Sequence, residues 1–116
     1  MTDVHVQVPD PIVKEASSFT ATAHFRVDGA ASAPSTNVKY RLDNLQTGTQ
    51  VKDWTDVTPA VSVTISITSA HNKILNNSNR IEKMQLTVAA DRGETNATYG
   101  TVTWDIENVY GYTANT

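Results

Sequence analysis

The chain has 116 residues, 39% of them hydrophobic and 18% charged, with no cysteine and a formal net charge of −3. This length suits one domain built on one core; the missing cysteine excludes disulfides, thiolate metal sites and cysteine nucleophiles. The acidic balance argues against general nucleic-acid binding, and no apolar run approaches the ~18 residues that a membrane-spanning helix needs.

Met1-Thr2-Asp3 opens without the basic and apolar regions of a signal peptide. The first predicted strand is Val4–Val8, broken by Pro9-Asp10-Pro11. In Phe19–Val27 every odd position is apolar and every even one polar, a period of two that a strand places on one face and a helix cannot. Asp28–Ser35 is small and polar and reads as a loop. Asn44–Thr49 reads as a hairpin between Val38–Asp43 and Gln50–Trp54, with Gly48 free to take a positive φ. After Pro59, alternation resumes over Val61–Thr68. Ser69–Leu75 predicts one helical turn with Ser69 as N-cap and Ile74 or Leu75 inward, ended by Asn76–Asn79. Met84–Val88 and Val102–Ile106 alternate again, separated by a turn at Asp91–Glu94. Threonine and valine, stiff at χ1 and suited to a pleated surface, dominate the strands.

These elements predict an all-β fold: two packed antiparallel sheets of seven to eight strands, an immunoglobulin or fibronectin III-like sandwich, with a jelly roll as the alternative. A single domain covers residues 1–116, with an N-terminal arm at 1–11 and a C-terminal tail at 110–116. The expected core is Phe19, Phe25, Val38, Tyr40, Leu42, Val63, Ile65, Ile67, Leu86, Val88, Val102, Trp104 and Ile106, with Trp54 closing one edge.

Sequence chemistry is sparse. His5, His24 and His71 lack the spacing of a metal site, which needs three or four converging ligands. Serine is plentiful, but no Gly-x-Ser-x-Gly elbow is present. Asp105 and Glu107 share one strand face about 7 Å apart at Cα, and Asp53 and Asp56 form a second acid pair, but exposed alternating acids ordinarily serve solubility or blunt an edge. Leu86–Gly93 with Asp105–Asn108 loosely resembles the end of a cadherin repeat, without the second acidic motif that calcium needs. Lys39, Arg41, Lys83 and Arg26 read as cross-strand partners of Asp43, Glu82 or Asp105. The Asn76 and Asn96 sequons, with no secretion signal, are expected to stay unmodified. No cofactor and no catalytic residue is expected.

The block Val38-Lys39-Tyr40-Arg41-Leu42-Asp43-Asn44, Thr47-Gly48-Thr49 and Lys52–Ala60 is distinctive, as are Val61–Thr68, Asn79–Glu82 and Leu86–Asp91. Over residues 37–110 the pattern resembles small tailed-phage proteins that carry a single Ig-like domain. The resemblance implies a virion structural protein assembled in the bacterial cytoplasm, a capsid decoration or other assembly module. Its partners would be the major capsid or tail protein and copies of itself. Val4, Val6 and Val8 in the arm and Tyr110 and Tyr112 in the tail are the expected docking residues. The alternative is a tail or baseplate module binding host carbohydrate through Trp54, Tyr99, Tyr110 and Tyr112, although the sequence groups no outward aromatics.

Overall fold

Branched and aromatic residues at period two commit most of the chain to extended backbone. The computed structural model describes residues 2–76, 78–95 and 97–109, and among these it contains strands and no helix. In chain order they are β1 (Thr2–Gln7), β2 (Ile12–Lys14), β3 (Phe19–Val27), β4 (Ala30–Ala31), β5 (Val38–Asn44), β6 (Thr49–Val57), β7 (Ser62–Ile67), β8 (Ile81–Ala90) and β9 (Thr98–Glu107). The strands beyond the expected seven or eight are short: β2 has three residues and β4 two.

In the smaller sheet, β3 is central, with β1 along one side and β7 and β4 end to end along the other. The larger sheet runs β2-β9-β8-β5-β6. All pairings are antiparallel except that of β2 with β9, which is parallel. Two sheets packed face to face around one core make the fold a β-sandwich.

The inner faces make the core. Phe25, Val38, Leu42, Val63, Ile65, Ile67, Leu86, Val88, Trp104 and Ile106 are buried as expected, while Phe19, Tyr40 and Val102 are half-buried against them. Phe19 stands edge-on to Trp104, with ring centroids 5.2 Å apart and planes at 85°. Val4 and Val6 also belong to this core, at 9% and 7% exposure. They lie opposite Phe25 and Ala23 in the β1–β3 ladder, so the pleat turns them inward. The opening segment is thus a sheet strand, its inward valines packed within the chain itself, and Val8 packs half-buried beside them. The tail at 110–116, with Tyr110 and Tyr112, lies outside the described residues.

Two glycine positions are needed for this arrangement. At Gly100 of β9, an added Cβ would stand 2.7 Å from the Val4 carbonyl oxygen, so only glycine lets β1 cross this close. Asp28 and Gly29, with φ of 51° and 85°, make the two-residue connection between β3 and β4, since Val27 pairs directly with Ala30. Positive φ at both positions is what a tight hairpin requires, and Asp-Gly supplies it cheaply. The loop expected over Asp28–Ser35 thus begins with a hairpin into a two-residue strand.

Between β7 and β8 the chain crosses from one sheet to the other. A single turn forms there, with the His71 and Asn72 N–H groups both donating to the Thr68 carbonyl. Ile74 faces inward and Leu75 outward.

Candidate functional site

The outer face of the larger sheet is where side chains of functional type converge. Its starting point is a fault in the β5–β6 ladder. Tyr40 pairs with Thr55 and Leu42 with Lys52, so Asp53 and Trp54 together face the single Arg41. A bulge of this kind bends and twists its strand and re-aims the side chains there. Asp53 fixes the bulge by accepting the Trp54 N–H at 2.7 Å, and the Thr55 hydroxyl donates to the Asp53 carbonyl at 2.9 Å. Trp54 is therefore not an edge of the core. Its ring lies on the outer face, 6.4 Å from the Tyr99 ring of β9, with the planes at 56°.

Two arginines flank the indole. The Arg92 guanidinium sits 4.5 Å from the ring centroid and that of Arg41 5.7 Å, both within cation–π range. Neither arginine is loose. Arg41 gives Nε to Asp43 Oδ2 at 2.9 Å and Nη2 to Asp43 Oδ1 at 2.6 Å, with a further bond from Nη2 to Gln50 at 3.2 Å. The Asp43 carboxylate raises the pKa of this guanidinium above its already high ordinary value. Between Lys39 and Tyr99 in the same row of the sheet stands Ala89, the ladder partner of both. Alternation puts it on the outer face, yet it is fully buried and separate from the inner cluster. A methyl group at this position leaves room for Trp54 to reach across β5 and β8 toward Tyr99.

Arg92 is held through its backbone. Asp91, at φ 54°, ends β8 and accepts the Thr36 and Asn37 N–H groups at 2.7 and 3.2 Å. Asn37 then embraces Arg92, donating Nδ2 to its carbonyl at 3.0 Å and accepting its N–H at 2.9 Å. Burial opposes charge on Asp91, but the donors from Ser35, Thr36 and Asn37 outweigh it and hold the carboxyl below its ordinary pKa. The clamp joins the segment before β5 to the start of the β8–β9 connection and so fixes the position from which Arg92 reaches Trp54.

A second buried carboxylate anchors the other end of β8. Glu82 is fully buried and accepts from Asn44 Nδ2 (2.9 Å), Leu75 N–H (2.7 Å), Asn76 N–H (3.0 Å) and Asn79 Nδ2 (3.0 Å). Burial would raise its pKa, and these four bonds lower it overall. Glu82 was expected as a surface partner for the basic stripe. It shares the even phase of Met84, Leu86 and Val88, which are all inward, and that phase decides its position. The sequence already held this signal. A further buried polar anchor is Asn72, whose Oδ1 accepts the Trp104 indole N–H at 2.9 Å while its Nδ2 donates to the Ser17 carbonyl at 2.8 Å.

The other candidates are dispersed. His5 and His24 are cross-strand neighbours on the outer face of the smaller sheet, bonded to Gln7 at 3.1 Å and to Ser62 at 2.9 Å. His71 Nδ1 accepts the Thr68 N–H at 3.1 Å, as a neutral imidazole does, and burial with the nearby Lys52 charge lowers its pKa. Among the described residues no three His, Asp or Glu side chains group as metal ligands. Asp105 pairs with Lys83 at 2.9 Å and Asp56 with Lys39 at 2.6 Å, so each acid pair has one member engaged with a lysine. No protein-family model matches this chain, and neither does any curated protein.

Sequence reasoning named Trp54 and Tyr99 as candidates but not as neighbours, and it missed Arg92 as part of any site. The bulge that turns Trp54 leaves a trace in the sequence: Val51-Lys52-Asp53-Trp54-Thr55 does not alternate as the other strands do.

Proposed function

We propose that this domain is a non-enzymatic assembly module that acts by protein–protein contact, through the Arg41–Trp54–Arg92–Tyr99 cluster. The observation that carries this reading is the pair of guanidiniums held against Trp54, at 4.5 and 5.7 Å. Tryptophan, tyrosine and arginine are the residue types that dominate interface hot spots. Here Arg41 is fixed by Asp43 and the Arg92 backbone by Asn37, which lowers the entropy cost of docking.

The setting we propose is a virion, on the resemblance of residues 37–110 to single-domain tailed-phage proteins. The chain would act as a capsid decoration or another assembly module, contacting the major capsid or tail protein. Carbohydrate binding by a tail or baseplate module is the competing reading, favoured by the meeting of Trp54 and Tyr99. It is the weaker one, because a sugar stacks on an open aromatic face. Arg92 covers part of the indole, and rings tilted at 56° offer no flat platform.

Cosedimentation with purified heads and with purified tails lacking this chain tests the proposal. Saturable binding to one of them, weakened at least about tenfold by Trp54→Ala in a folded chain, is the expected result. Saturable glycan-array binding without binding to either particle would replace it with the sugar reading.

A further inference from the structure

The two sheets present five outer strands, β1, β2, β4, β6 and β7; β4 is only two residues long, and three of the others carry a feature that discourages addition of another strand. Strand β6 has two register shifts and carries Lys52, Asp53 and Asp56. Strand β2 is three residues long and follows Pro9 and Pro11. Strand β1 crosses against β9, its Val4 carbonyl packed at Gly100. Strand β7 has no such protection. It pairs with β3 in unbroken register, and the stretch from Thr58 to Ala70 contains no charged side chain. Among the described residues, no strand pairs with its other side.

The ladder shows which backbone groups face that free side. Phe25 N–H donates to the Val61 carbonyl at 3.0 Å, and Phe25 and Val61 are opposites in the register that pairs His24 with Ser62. Bonded and non-bonded pairs alternate along an antiparallel ladder. Val61, Val63, Ile65 and Ile67 thus direct their backbone groups to β3. Ser62, Thr64 and Ser66 direct theirs outward.

We propose that this edge is completed by β7 of a second copy of the chain, antiparallel about a two-fold axis at Thr64. The strand's own sequence selects this occupant. Placing Thr64 opposite its symmetry mate puts Ser62 opposite Ser66 and Val63 opposite Ile65. Hydroxyls then meet hydroxyls on the outer face, and branched side chains meet branched side chains on the inner one, pairings that favour a sheet. No charge is buried or opposed, and all the outward N–H and C=O groups of Ser62, Thr64 and Ser66 are used, in about six hydrogen bonds. A shift by two residues leaves some of them unmade. Pairing with β6 instead would meet its bulges and charges. The contact is isologous and closes on itself: the joined sheet has β1 at both outer ends, where β9 lies against it, so assembly stops at two. The inference does not rest on the proposed function, because the outer face of the larger sheet stays open in such a dimer.

Sedimentation equilibrium of the full chain, from micromolar to millimolar concentration, tests the proposal with three variants checked for folding by circular dichroism. Thr64→Lys sets two ammonium groups opposite each other at the axis, and Thr64→Pro removes an outward N–H without touching the β3 ladder. Thr103→Lys adds the same charge on β9 of the other sheet. The expected result is a monomer–dimer equilibrium weakened at least about tenfold by both Thr64 variants and unchanged by Thr103→Lys. A chain monomeric throughout the range overturns the proposal. So does a dimer that survives both Thr64 variants, or open-ended fibres in place of a dimer.

Discussion

The two sheets of this sandwich are finished in opposite ways. The larger is secured by side chains with specific partners. Buried carboxylates Glu82 and Asp91 lie at either end of β8, a bulge turns Trp54 over the outer face, and Arg41 and Arg92 hold it there. The smaller is a ladder in unbroken register around β3, ending on one side at an uncharged β7 of small and branched residues. Polar anchoring in the first sheet fixes loops and a surface in one geometry. Backbone pairing without such anchors, in the second, leaves hydrogen-bonding capacity over at the edge. The contrast separates two kinds of contact surface in one small domain: one specified by side chains, the other by the main chain.

The largest test of this contrast is Glu82→Ala. It strands four donors at once, the Asn44 amide among them fully buried, and the expected cost is about 3 kcal/mol in urea unfolding. A loss below about 1 kcal/mol would mean that the larger sheet is not anchored as described. Next is Gly100→Ala. Its methyl group meets the Val4 carbonyl, a backbone atom that cannot swing away. A cost of about 2 kcal/mol is expected, together with faster amide exchange in β1.

Acid should act on the larger sheet in particular. Glu82 and Asp91 have pKa values lowered by folding. Their contribution is complete above the unfolded carboxyl range near pH 4 and is lost as pH falls through the lower folded values. Unfolding measured between about pH 5 and pH 2 should show this fall, and Glu82→Gln should make it shallower. An unchanged slope in that variant would remove Glu82 from the explanation. The smallest effect belongs to the smaller sheet: Ser66→Ala should change stability by no more than about 0.5 kcal/mol.

What could be read from the sequence follows the same division. Alternation identifies β1, β3 and β7 of the smaller sheet and the inward residues of both, because period two maps directly onto the pleat. It also carried Glu82 inward with Met84, a consequence that its charge obscured. Val4 and Val6 alternate as clearly as any core pair, and only their place at the chain terminus suggested an arm. The Trp54 cluster was not legible, because a bulge breaks the periodicity and Arg92 arrives from a turn some forty residues away. That distance is closed by hydrogen bonds among Asp91, Asn37 and Thr36, which no local pattern announces. The Asp28-Gly29 hairpin shows in the sequence only as a loop, because β4 has two residues, too few to alternate.

Residue-resolved amide exchange, compared between dilute and concentrated protein, tests the contrast most directly. Slow exchange is expected at Val63 and Ile65 in both samples. At Ser62, Thr64 and Ser66 exchange is expected to be fast when dilute and slow when concentrated, while the amides of β6 do not respond. Exchange at Ser62, Thr64 and Ser66 that is independent of concentration, or protection that appears at β6 instead, would contradict the contrast.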